Sequence, residues 1–248
     1  MTYLYSANLW LHIVFAAIAL VLFWVPIFTK KGHLNHRKFG HHYKVAMYTV
    51  ALTGVLMATM MMAQPFVVKP EYLNHENPEA VVAYFRSLNI FLIFLALLTF
   101  TTTRHGIEVL AVKDKREQLR KFNYIVPVWM LAVGGVMLFV FGIVNSNVLH
   151  IAFGILGLVI GVNMLRYCLK TSVAKRQWII EHIGSMIGSG IAAYTAFLTF
   201  GGRTLFSDLG QWQLVFWVAP GIVGGIASYI VCKRYAQMFG VVNEQAEV

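Results

Sequence analysis

The chain has 248 residues, of which 58% are hydrophobic and 12% charged, and its mean hydropathy is +0.67. A soluble globular domain carries about twice that charged fraction, so a water-soluble protein is excluded. The net charge of +10 does not point to nucleic acid, because the cations fall in short connections and no soluble domain is left to hold a polynucleotide.

Seven apolar stretches follow in chain order: Leu9–Phe28, Val45–Ala63, Leu88–Thr103, Ile125–Val144, Val148–Leu169, Ile179–Phe200 and Leu214–Cys232. A run of about 20 apolar residues spans the roughly 30 Å hydrocarbon core as a helix. The fold class expected is all-α, a polytopic helical membrane bundle forming one transmembrane domain over residues 1–248. The first span is not expected to be a cleaved signal peptide, because no basic segment precedes it and it exceeds a signal peptide's apolar core.

Charge sets the orientation. Of the 20 Lys and Arg, all but Lys69, Arg86 and Arg203 lie in the first, third and fifth connections or in the tail. Cytoplasmic loops retain Lys and Arg, so the N-terminus is expected outside and the C-terminus in the cytoplasm. The expected location is the bacterial cytoplasmic (inner) membrane. Anionic headgroups suit the basic face. Trp10, Trp24, Trp129, Trp178, Trp212 and Trp217 fall mostly near span ends, as an interfacial belt would place them. The Met57–Met62 region reads as adaptable packing. Cys168 and Cys232, near cytoplasmic span ends, suit neither a disulfide nor a thiolate metal site. No phosphate loop, dinucleotide fingerprint or low-complexity tract occurs.

Polar groups inside a span cost free energy unless paired, which makes the nine histidines informative. His12 and His150 lie at the outer ends of the first and fifth spans, and His75 lies in an outer loop. The other six lie toward the inner face: His33, His36, His41, His42, His105 and His182. Small residues follow three of them at helical spacing. Below His150 come Gly154, Gly157 and Gly161; below His182 come Ser185, Ser189, Ala193 and Ala196; below His12 come Ala16 and Ala19. A histidine heading such a strip suits an axially ligated haem b, with His12, His150, His42, His105 and His182 as candidate ligands. The same strips also serve as helix-packing faces.

A zinc or iron site near the inner face is the second metal reading. His36, His41, His42, His105 and His182 are its candidate ligands, with Glu108 or Glu181 as proton acceptor. The alternative for the His33–Tyr43 loop is a basic, partly titrating segment against headgroups. His182 is the strongest single candidate, because it follows Glu181 and enters the most polar span, which holds Ser185, Met186, Ser189, Tyr194, Thr195 and Thr199. A polar stripe faces the bundle interior or a cavity.

Two segments carry a resemblance. His36-Arg37-Lys38-Phe39-Gly40-His41-His42-Tyr43 fits H-R-x-x-G-x-x-Y. The segment from Trp178 through His182, Met186 and Thr195 to Phe197 fits W-x-x-x-H-x-x-x-M…T-A-F. Together they resemble an uncharacterised family of bacterial multi-pass membrane proteins. The resemblance singles out His36, Arg37, Gly40, Tyr43, His182, Met186 and Thr195 and implies no activity. The chain also resembles cytochrome b561-like membrane proteins in having histidines near both faces. It departs from them in its sixth and seventh spans and lacks their four-histidine register.

Three functional classes follow. The first is redox or other metal chemistry at the histidines, which includes a lipid-modifying hydrolase. The second is transport of a small molecule or ion through the polar sixth span; the missing internal repeat and the lack of acidic residues in the spans other than Glu181 speak against it. The third is a non-catalytic component that joins a membrane partner, or a second copy of itself, through small-residue faces.

Overall fold

The computed structural model describes residues 2–202 and 213–241; Arg203 and Trp212 lie outside them. Among the described residues the chain is built of helices with no strand. The long helices are α1 (Thr2–Phe28), α2 (Leu34–Ala63), α4 (Pro78–Val112), α5 (Phe122–Val144), α6 (Val148–Leu169), α7 (Gln177–Ala196) and α8 (Gln213–Met238), with a short α3 (Pro65–Val68) after α2. α7 continues as a π-helical turn, Phe197–Gly201. Among the described residues seven helices are long and apolar enough to cross a membrane. The protein is thus a multi-pass helical membrane protein.

Helix ends depart from the hydropathy reading in one direction. α2 begins at Leu34, so most of the basic His33–Tyr43 segment is helix rather than loop. α4 runs from Pro78 to Val112, about 50 Å at 1.5 Å per residue, well beyond the hydrocarbon thickness. Its start is specified locally. Asn77 Oδ1 accepts from Ala80 N at 3.0 Å, and Pro78 takes the first helical position, where a missing N–H costs nothing. Asn147 does the same for α6, accepting from the amides of Leu149 at 3.1 Å and His150 at 3.2 Å. Between α1 and α2, Gly32 takes φ +79°, a conformation open to glycine.

The helices form two compact units, residues 1–100 with 133–158, and residues 101–132 with 159–248. In the first, α1 packs on α2 around Ala19, Tyr43 and Met47, all nearly inaccessible. A second apolar cluster joins Met61, Val68, Val81 and Phe85. α5 and α6 touch backbone to backbone there, since a Cβ at Gly154 would stand 2.5 Å from Phe139 N and one at Gly135 2.6 Å from Leu158 N. In the second unit the same two helices meet at Gly161, where a Cβ would lie 2.8 Å from Ala132 N. α7 pairs with α8 there through Gly224 and Ile191.

Candidate functional site around His105

The second unit contains the most polar buried cluster among the described residues. α4 carries the run Thr101-Thr102-Thr103-Arg104-His105, and His105 is 1% exposed. The hydroxyl of Tyr124, in the first turn of α5, bonds to His105 Nδ1. His105 Nε2 lies 3.5 Å from Glu181 Oε2 on α7. The second oxygen of Glu181 accepts from Gln177 Nε2 at 3.3 Å. From α6, the Tyr167 ring stands edge-on to His105, with centroids 5.8 Å apart at 85°. Cys168, fully buried, sits beside Tyr124.

The backbone supports this cluster directly. His182 Nδ1 donates to the Gly106 carbonyl at 2.7 Å. Met186 packs where Gly106 lacks a side chain, because a Cβ there would lie 2.8 Å from Met186 Sδ. Arg116 comes from the short turn between α4 and α5. It donates to the carbonyls of Tyr167 at 2.8 Å and Lys170 at 3.2 Å. Arg120 Nε donates to Cys168 O at 3.0 Å. These two cations satisfy the orphan carbonyls that end α6 and so hold Tyr167 and Cys168 in place. Arg104 lies over the Tyr124 ring at 5.5 Å and donates to Asn123 O at 2.8 Å.

Of the expected inner cluster, the structure brings together His105, Glu181 and His182. Glu108 turns instead to Arg104, 3.9 Å away and one helical turn back. His36, His41 and His42 belong to the first unit. His36 Nδ1 donates to Pro26 O at 3.0 Å, while His41 and His42 are exposed and their rings meet edge to face, with centroids 6.2 Å apart.

The outer pair is also engaged by protein. Thr53 gives its single proton to Thr49 O at 2.7 Å, so His12 Nδ1, 2.9 Å from that hydroxyl, is the donor between them. His150 Nε2 donates to Ser87 O at 3.2 Å, and its ring lies between Phe91 and Phe141. The glycine strip below His150 is filled. Phe94 occupies the niche at Gly157, and α5 backbone closes on Gly154 and Gly161. That face has no room for a flat ring, so the strip is helix packing.

A metal fits this chemistry poorly. Among the described residues no three His, Cys, Asp or Glu are arranged to hold an ion. His105 Nε2 and Glu181 would supply two donors, short of the three or four protein ligands zinc takes.

The arrangement suits a proton instead. With neutral imidazole, Tyr124 O–H donates to Nδ1, the proton sits on Nε2, and Nε2–H faces Glu181. With imidazolium both nitrogens donate, and the Tyr124 oxygen accepts. A lone buried cation costs several kcal/mol, and Glu181 is the carboxylate placed to offset one on His105. Thr101, one turn before His105 on the same face, has a buried hydroxyl without a hydrogen-bond partner, as does Tyr167. Composition did not mark Tyr124, Tyr167, Cys168, Arg116 or Gly106, since each has an ordinary role near a span end. No family model, curated protein or solved structure matches the chain.

Proposed function

We propose that this is a transporter of the bacterial cytoplasmic membrane that moves a small molecule or ion together with a proton held by His105 and Glu181. The observation that carries this reading is the fully buried His105 with a phenol at one nitrogen and a carboxylate at the other. An ionisable pair held between two membrane helices is expensive and supports a proton or ion path. The partnerless Thr101 hydroxyl extends a polar strip along α4, and the buried Ser189 adds another polar group on α7. The asymmetry of Lys and Arg supports placing this pair toward the cytoplasmic face.

The likeness to an uncharacterised bacterial family fits the same picture. His182 and Met186 of its second pattern both rest on Gly106, which brings Glu181 to His105.

The test is reconstitution into liposomes with a pH-sensitive dye inside. Wild-type protein is expected to move protons under a membrane potential or a solute gradient, and H105Q and E181Q to abolish this while remaining folded. Undiminished proton movement in H105Q would remove the proposal.

A further inference from the structure

A cavity of about 180 Å³ opens in the second unit where the α4–α5 turn meets the start of α7. It takes several water molecules, since one fills about 30 Å³ of the liquid. Two of its wall residues touch the His105–Glu181 pair. Gln177 lines the cavity, and its Nε2 donates to Glu181 Oε1 at 3.3 Å. Tyr167 also lines it, and its ring stands edge-on to His105, with centroids 5.8 Å apart. The cavity wall is therefore one side chain away from the acid and one side chain away from the base.

Those two side chains differ in what they offer a proton. Tyr167 meets His105 with an aromatic ring, and its buried hydroxyl has no hydrogen-bond partner. Gln177 meets Glu181 with a polar amide. The two residues stand four apart in the first turns of α7 and so share one helix face. The Glu181 side chain keeps 26% of its surface exposed, whereas His105 keeps 1%. Of the pair, the acid is the member within reach of water.

We propose that this cavity is the water inlet of the pair: Glu181 exchanges protons with water in it beside the Gln177 amide, and His105 exchanges through Glu181. The inlet rests on the proton reading of the pair given above. When the His105 imidazolium releases its Nε2 proton, Glu181 Oε2 takes it and both groups become neutral. The carboxyl then passes the proton to a water in the cavity, which leaves as hydronium. Loading runs the same steps backwards. Gln177 is a positioning residue: its N–H holds one carboxylate oxygen and leaves the other facing His105. The Tyr167 ring bars the direct route from the cavity to the base.

The test reads exchange of the His105 ring N–H with deuterated water by NMR, on the full chain carrying isotope-labelled histidine in detergent. H105Q assigns the signal. The ring N–H of His182, which donates to Gly106 O at 2.7 Å, is the internal control. Ser172 lines the cavity and is exposed, so S172C in a C232S background accepts a bulky thiol reagent there; Cys168 is fully buried. That adduct is expected to slow exchange at His105 at least as much as Q177L does. Q177L is expected to slow it about tenfold, as loss of one hydrogen bond to a charged group implies. E181Q is expected to slow it as well. An adduct on K121C, an exposed position outside the cavity, is expected to leave it unchanged. General loosening of the fold would instead speed exchange at both histidines. Exchange at His105 that ignores the S172C adduct, that is not slowed in Q177L or E181Q, or that slows equally with the K121C adduct overturns the inlet. No gradient or solute enters the measurement. Slowed exchange in a protein that moves no protons across liposomes therefore keeps the inlet and removes the transporter.

Discussion

Glu181 Oε2 lies 3.5 Å from His105 Nε2, and the residues that follow them, His182 and Gly106, are joined by a 2.7 Å hydrogen bond. Two successive contacts between α4 and α7 therefore fix the register of the acid against the base. The bond from the His182 ring to the Gly106 carbonyl involves neither His105 nor Glu181, so it holds α7 against α4 independently of that pair. Met186, one turn further along α7, fills the gap at Gly106.

Gly106→Ala should test this register. The added Cβ would meet Met186 Sδ at 2.8 Å and Ser185 Cβ at 3.3 Å. Met186 is flexible and can yield, so the expected cost is about 1–2 kcal/mol. Met186→Ala in the same chain should recover most of it. A thermal denaturation series in detergent reads the stability, and proteoliposome flux reads whether the His105–Glu181 spacing was disturbed. Equal destabilisation with and without Met186→Ala would show that the clash lies elsewhere.

Tyr124→Phe should cost more than its size suggests. It removes only a hydroxyl, yet leaves His105 Nδ1 buried without a partner, a penalty of about 1–3 kcal/mol. The tautomer is also freed, so proton-linked flux should fall even at temperatures where the fold is intact. His105→Leu combined with Tyr124→Phe removes both ends of the bond. The double variant should be more stable than the sum of the two single losses predicts. Strict additivity would mean that the two groups do not interact.

The seven spans were legible because hydropathy over about 20 residues is a strong signal. Their ends were not, because helix continues into water where polar residues still favour it, as Leu34–Lys44 does at the start of α2. At the site, depth alone grouped His105, His182 and Glu181, which the structure brings together. It could not separate them from His41 and His42, which share that depth but belong to another unit. Glu108 went to Arg104 because a partner four residues back on the same helix is always within reach. Tyr124 and Tyr167 stayed hidden because aromatics near span ends already have an interfacial explanation.

The glycine strips divide in a way that spacing alone could not show. Gly154 faces backbone, with Phe139 N 2.5 Å from a Cβ position, whereas nothing lies within 4 Å of one at Gly225. Backbone cannot step aside as a side chain can. Gly154→Ala should therefore cost about 1–3 kcal/mol or more through forced separation of α5 and α6. Gly225→Ala should be neutral or slightly stabilising, since alanine is the better helix former. If Gly225→Ala instead breaks function without loss of stability, that face of α8 meets a second helix, from a partner or another copy. Size-exclusion chromatography alongside the melting curves distinguishes the outcomes.

Arg116→Lys completes the set, because it keeps the charge and removes the fork. The guanidinium serves the carbonyls of Tyr167, Lys170 and Thr171, at 2.8, 3.2 and 3.3 Å. A single ammonium cannot reach three acceptors in that geometry. The residue is 8% exposed, so carbonyls left unmet are not fully repaid by water, and the expected loss is about 1–3 kcal/mol. The end of α6 should loosen first, which moves Tyr167 and Cys168 away from His105. Hydrogen exchange should therefore rise at residues 166–171, with the outer half of α6 unchanged. Uniform exchange along α6 would show that Arg116 does not anchor that end.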